Sequence, residues 1–398
     1  MTLRLSRRAA ALAPSSTAAV ARAAKALASQ GVDVVDFGLG EPDFATPEFV
    51  GRAGVAAIEK GLTKYTDSAG DPALRDAIAE KYRREQGSAC TRENVLVTAG
   101  AKQAVFNVCQ ALFEEDDEVA VFSPYWVSFP DMVRLAGASP VFVRTTLETG
   151  WRPTAKALEK VATSRTRGVV LNSPNNPTGA VVAGEELEKI LAWCRDRDVF
   201  LIFDETYDRF LYGGRRHVSA AAFWKDHGGR MAVTGAASKT YAMTGWRLGW
   251  ALAPKDLVTA MANYQSHSTS NASSISQEAA RAALTDRERS ETSIKGMLSE
   301  YERRRETMLS ALLAVPGVRC EPPEGAFYAF ADVSGLYSRK GVTGSAAFCE
   351  RFLAEAHVAA VPGDAFGDDG CVRFSFATQL TRIAEGMRRF RRWISASG

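Results

Sequence analysis

Between residues 94 and 234 the chain alternates short apolar runs with helix-patterned segments, and this alternation limits the folds open to it. Asn94 to Thr98, Glu118 to Phe122, Gly168 to Leu171, Val199 to Phe203 and Met231 to Thr234 are apolar or β-branched runs. Gln103 to Phe113 and Gly184 to Asp196 carry apolar residues at helical spacing. Continuous apolar strands between helices predict an α/β fold: a mostly parallel central sheet covered by helices on both faces. In such sheets ligands sit beyond the carboxyl ends of the strands, and the polar motifs of this chain follow directly after its strands.

At 398 residues the chain exceeds a single small core. A charged helical stretch, Asp286 to Leu313, leads to Pro316-Gly317 and Pro322-Pro323. The elements then shorten: Ala326 to Phe330, Ala346 to His357, Val358 to Val361, Val372 to Phe376, and a basic helix ending near Trp393. The expected division is a large domain over 46–300, a small α+β domain over 301–398, and an N-terminal segment over 1–45 that packs with the small one. Pro14-Ser15-Ser16-Thr17 before Val20 to Leu27 predicts an N-cap and an Ala-rich helix.

A net charge of +3 gives no reason to expect nucleic acid or a membrane surface. No apolar run has the length of a membrane span. The six cysteines lack a CxxC spacing and several sit in apolar runs, so free buried thiols in a reducing compartment, and no metal site, are expected. The cytoplasm is the expected location.

Five stretches carry candidate chemistry besides Lys239. That lysine follows an apolar run and sits among small residues, with Ser238 before it and Arg247 eight positions on. A deprotonated lysine can form a Schiff base with an aldehyde, and an arginine fork suits phosphate. Together they suggest pyridoxal 5′-phosphate (PLP); the plainer alternative is an exposed lysine in a turn. Gly100 and Ala101, followed by Lys102, open a helix after a strand, where backbone N–H groups favour phosphate. Trp126 follows another strand, as a ring for stacking or as a core residue. Asn176 sits in Asn172-Ser173-Pro174-Asn175-Asn176-Pro177-Thr178-Gly179, a rigid run or an ordinary turn. Asp204 closes an apolar strand with Tyr207 three positions later; its carboxylate can pair with a protonated ring nitrogen or cap a helix. Arg373 lies in an apolar strand, costly to bury unless it meets an anion.

As an ordered set, Gly40-Glu41-Pro42-Asp43-Phe44, Lys64-Tyr65, Asn176-Pro177-Thr178-Gly179, Asp204 with Tyr207, Lys239 with Arg247, and Arg373 give the chain its name by likeness. It resembles the class I aminotransferases of fold-type I PLP enzymes along nearly its whole length, and within them the bacterial aspartate aminotransferase subgroup. The resemblance implies that Lys239 holds PLP covalently and acts as general base. It implies that Asp204 pairs with the ring nitrogen, and that Tyr207 and Asn176 bond the phenolic oxygen. Trp126 would stack on the ring and border the substrate. Gly100, Ala101, Lys102, Ser238 and Arg247 would line the phosphate. Tyr65 would reach the phosphate of a neighbouring subunit, which implies a homodimer with shared active sites. Arg373 would clamp the substrate α-carboxylate, helped by Asn176 and Gly40.

The same resemblance bears on substrate. Ser15, Thr17 and Lys102 stand where the subgroup holds the distal carboxylate, which favours aspartate with 2-oxoglutarate. Aminotransfer from aromatic or other amino acids, and PLP-dependent elimination, replacement or cyclisation, stay open as alternatives. Two positions depart from the pattern. Ala236 stands where Gly or Ser is usual, and Ala13 stands where relatives that also accept prephenate often carry lysine.

Overall fold

The computed structural model describes residues 3–10, 12 and 16–396. Among the described residues thirteen strands run in chain order: β1 (Val35–Asp36), β2 (Val95–Thr98), β3 (Glu118–Ser123), β4 (Ser139–Arg144), β5 (Thr166–Asn172), β6 (Phe200–Asp204), β7 (Met231–Ala236), β8 (Gly249–Leu252), β9 (Arg319–Cys320), β10 (Tyr328–Asp332), β11 (Val358–Ala359), β12 (Val361–Pro362) and β13 (Cys371–Ser375). Seven of them form the central sheet in the order β2-β8-β7-β6-β5-β3-β4. Every pairing from β7 through β4 is parallel, and β8 is antiparallel to both β2 and β7. The expected mostly parallel sheet is therefore present. All residues of β2, β3, β7 and β8 are buried, and in β2, β3 and β7 this burial shows as apolar runs in the sequence.

Two strands of the central sheet escaped the sequence reading, as did the two-residue β1 and β9. β4 is an edge strand with Pro140 near its start and a partly exposed face, so it lacks an apolar run. β8 is only Gly249-Trp250-Ala251-Leu252, too short for a periodic signal. The long helix Arg287–Leu313 starts where expected because the Asp286 side chain caps it, accepting from the Arg289 N–H at 3.3 Å. A second sheet has the order β12-β13-β10-β9, and β1 pairs in parallel with β11. The segment expected as one strand, Val358 to Val361, is split between β11 and β12, which belong to different sheets. The helix Ser16–Ser29 packs on β11 and β12. All six cysteines are buried. Among the described residues no helix is long and apolar enough to cross a membrane.

Candidate active site

Register builds the centre of the site. Asn172, Asp204 and Thr234 lie side by side at the carboxyl ends of β5, β6 and β7. Asn172 locks the following turn: its Nδ2 donates to the Asp204 carbonyl at 2.9 Å, and its Oδ1 accepts from the Asn176 N–H at 2.8 Å. Asp204 Oδ1 accepts from the backbone N–H and the hydroxyl of Thr206, at 3.0 and 2.7 Å. Burial nonetheless pushes the Asp204 carboxyl up to about 6, against the pull of Thr206 and Lys239. Tyr207, one turn further, is buried and shares a 2.9 Å hydrogen bond with the Tyr328 hydroxyl.

Lys239 rides the short helix Ala237–Thr240 that follows β7. It is partly buried, and its Nζ donates to the Gly40 carbonyl at 2.5 Å. Loss of solvent lowers its pKa to about 8; Arg247 and Arg373 push the same way, while Glu41 and Asp204 oppose them. An amine with that pKa is a usable nucleophile near neutral pH.

Beside Lys239 the strand ends are packed closely. Ala236 pairs with Gly249, and Gly249 with Thr98. A Cβ on Gly249 would lie 2.4 Å from the Ala101 nitrogen, so only glycine lets β8 approach the start of the helix Ala101–Leu112. Gly100 caps that helix at φ 90°, and a Cβ there would meet Arg247 Nη2 at 2.6 Å. Arg247 is held over this turn by bonds to the carbonyls of Thr244 and Ala99, at 2.8 and 3.2 Å. A helix N-terminus, a guanidinium and the buried Ser238 thus border one small-walled turn, the composition of an anion cradle. Ala236 has extended backbone (φ −152°, ψ 155°), so the methyl group in place of glycine costs no backbone freedom there.

Arg373, in β13, is 2% exposed. Its Nη1 donates to Asn176 Oδ1 at 3.0 Å and its Nη2 to the Gly38 carbonyl at 2.9 Å, while Nε has no partner. The guanidinium lies 4.3 Å from the Tyr328 ring centre and 5.1 Å from that of Phe366. Asp36, two residues before Gly38, spends its Oδ1 on the Gly38 N–H at 2.7 Å, and burial raises its pKa. A buried guanidinium with a free edge is a site for a carboxylate.

The structure thus joins Gly40, Asn176, Asp204, Tyr207, Lys239 and Arg373 through direct bonds or shared partners, and Gly100, Ala101 and Arg247 beside them. Lys102 Nζ sits 4.8 Å from the Trp126 ring centre. Tyr65 is 89% exposed, joined to none of the others. Ser15 lies outside the described residues, and for Thr17 only the backbone, within the helix Ser16–Ser29, is described. Four contributors went unread in the sequence: Asn172, Thr206, Tyr328 and Gly249. An Asp-x-Thr turn signals Thr206, but Tyr328 meets Tyr207 from 121 positions away and leaves no local trace.

The chain matches the family model described as aminotransferase class I and II over residues 32–390. It is 44% identical over 388 residues to the aspartate/prephenate aminotransferase of Thermus thermophilus, covering 98% of each chain. It is 41% identical over 381 residues to the probable aspartate/prephenate aminotransferase of Aquifex aeolicus, covering 96% of each. Among solved structures, the Thermus thermophilus aspartate aminotransferase with maleate superposes with a TM-score of 0.93 at 43% identity, over 98% of this chain and all of that one. The aspartate aminotransferase from Rhizobium meliloti gives 0.93 at 37% identity over the full length of both. The chain is a member of the class I and II aminotransferases.

Proposed function

We propose that this aminotransferase binds PLP through Lys239 and moves the amino group of aspartate to 2-oxoglutarate, giving oxaloacetate and glutamate. One observation carries the reading. The strap Gly38–Gly40 accepts a hydrogen bond from Arg373 at one end and from Lys239 at the other. An amine with lowered pKa and a carboxylate-binding fork therefore flank the same few atoms, as deprotonation at the α-carbon of an amino acid demands.

The residues fit the cofactor. Asp204, kept partly protonated by burial, gains a reason to ionise when a cationic ring nitrogen faces it. Ala101, Ser238 and Arg247 suit a phosphate, and Gly100 and Gly249 keep the floor of that cradle low. When bound, PLP supplies a conjugated ring that accepts the electron pair left at the substrate α-carbon. Arg373 holds the α-carboxylate, with Asn176 steadying the guanidinium. Lys239 Nζ takes the α-proton and returns it on the cofactor side. Tyr207 and Asn176 hold the ring's phenolic oxygen, and Trp126 covers the ring.

Lys102 beside Trp126 supports a dicarboxylic substrate, with Ser15 and Thr17 as its helpers. Maleate, named in the structure of the Thermus thermophilus relative, is a dicarboxylate. On this reading residues 46–300 form the cofactor-binding domain, 301–398 the small domain, and 1–45 a segment packing with the latter. The exposed Val55, Ile58, Leu62 and Tyr65 form the face of a homodimer in which Tyr65 serves the neighbouring site. The enzyme works in the cytoplasm.

Steady-state rates with 2-oxoglutarate as acceptor test the substrate. Aspartate should exceed phenylalanine in kcat/KM by at least about 100-fold, since a site built for a charged group rejects its absence. Equal rates would sink the dicarboxylate assignment. Acceptance of prephenate in place of 2-oxoglutarate is a second reading, favoured by the names of the Thermus and Aquifex relatives; the same assay with prephenate as acceptor decides it.

A further inference from the structure

Beneath the site lies a buried ion pair that the reaction above does not use. Lys81, on the helix Pro72–Gln86, is 4% exposed, and its Nζ sits 2.7 Å from Asp208 Oδ2 and 3.1 Å from Glu85 Oε2. Burial works against both charges. Asp208, Glu85 and Glu205 nevertheless hold the lysine pKa above its ordinary value, and Lys81 and His217 hold that of Asp208 below its own. Such pairs seldom stabilise a fold more than apolar packing would, so their retention calls for another reason.

The position of Asp208 supplies one. It follows Tyr207 in sequence, and its second oxygen, Oδ1, accepts from the Thr240 hydroxyl at 2.9 Å; Thr240 follows Lys239. One carboxylate thus bonds the turn that carries Tyr207 to the turn that carries Lys239. Backbone pairing cannot do this. The β6–β7 ladder ends at Asp204 and Thr234, and the bond from the Glu205 N–H to the Thr234 carbonyl is the last backbone link between the two turns among the described residues. Beyond it the space among Lys81, Glu205, Asp208, Thr240, Tyr241 and Trp250 leaves no room for a water molecule, so the Thr240 bond lies on the dry side of a carboxylate that is 12% exposed elsewhere.

We propose that Asp208, anchored by Lys81, is a positioning residue that acts through Thr240 to fix Lys239 relative to Tyr207. The proposal rests on the reading of Lys239 as the residue that carries PLP. A charged acceptor makes the shorter and stronger hydrogen bond, and displacement of a reacting group by a fraction of an ångström is enough to slow an enzyme.

Thr240→Val tests it, because valine keeps the shape of threonine and leaves the ion pair intact. The PLP-loaded variant is compared with the wild type in kcat per bound cofactor, KM, melting temperature, and the pH midpoint of the visible absorbance of the Lys239-linked cofactor. The proposal expects kcat to fall roughly tenfold, KM to stay within about twofold, and the absorbance midpoint to move. Thr240→Ser should restore both kcat and midpoint. Asp208→Asn, which keeps an acceptor for Thr240 but cancels the charge facing Lys81, should move the midpoint in the same direction. Unchanged kcat and midpoint in Thr240→Val, whatever its melting temperature, overturns the proposal. Borohydride reduction of the wild type followed by peptide mapping separates the two levels: cofactor fixed on another residue defeats the PLP reading itself.

Discussion

A carboxyl group held near pH 6 by burial is a cost to the fold until a cation faces it. Asp204 is in that position: its pKa of about 6 in the folded protein exceeds the ordinary 3.8. The folded chain therefore binds this proton more tightly than the unfolded chain, and stability is lost as pH rises from 3.8 through about 6. Replacing Asp204 by Asn should stabilise the cofactor-free protein at neutral pH by roughly 2–3 kcal/mol, with the gain vanishing toward pH 4; denaturant titrations at both pH values measure it. The same variant, loaded with PLP, should lose at least about 100-fold in kcat, since the ring nitrogen loses its anion. Lys239 gives the complementary prediction. Burial, aided by Arg247 and Arg373, lowers its pKa to about 8. The rate at which the apoprotein captures PLP should climb about tenfold per pH unit below that value and level off above it; a flat profile from about pH 6 to 9 would contradict the assignment. Residues of this kind are legible because chemistry constrains them one by one: a lysine among small residues, an acid at a strand mouth, an arginine in an apolar strand. Tyr328 is not, because a tyrosine in an aromatic β-strand looks like core whether or not its hydroxyl meets Tyr207.

At the scale of elements, the closeness of β8 to the helix Ala101–Leu112 is the feature most open to test. Gly249→Ala puts a methyl group 2.4 Å from the Ala101 nitrogen and 2.5 Å from the Gly100 carbonyl carbon, so the start of that helix must shift. Overpacking of this sort costs about 1–3 kcal/mol, and if Ala101 helps hold the phosphate, PLP affinity should weaken by tenfold or more at unchanged KM for aspartate. Equilibrium dialysis of PLP against both proteins reads the result. The strands β2, β3, β5, β6 and β7 are plain in the sequence because burial on both faces makes them continuously apolar. β8 is hidden because its job is to come close, which selects Gly249 and a short span rather than a hydrophobic pattern. The helix Pro72–Gln86 is unassigned in the sequence reading although its ends are marked. Asp71 accepts from the N–H groups of Ala73 and Leu74, and Gly87 closes it at φ 65°. Its buried Leu74, Ile78 and Tyr82 also stand at helical spacing, so the helix is legible in the sequence, whereas the burial of Lys81 beside them is not.

At the scale of the molecule, the proposed homodimer would cover a row of exposed apolar residues. Val55 and Ile58 are each 55% exposed on the helix Glu48–Glu59, Leu62 follows at 44%, and Tyr65 at 89%. Sedimentation should give twice the 43.0 kDa chain mass. Ile58→Asp with Leu62→Asp should yield monomers that bind PLP more weakly, because Tyr65 then serves no neighbouring site; monomers with unweakened PLP binding would contradict the shared-site arrangement. No single-chain pattern announces such a face, since a scattering of exposed apolar residues is ordinary on any surface. Lys239, in the proposed reaction, runs one half of an amino transfer at a time. PLP-loaded protein, freed of excess cofactor and mixed with aspartate but no oxo acid, should release one equivalent of oxaloacetate per chain and stop, and the Lys239→Ala variant should release none. Continued product release without an acceptor, or no oxo acid at all, would contradict it.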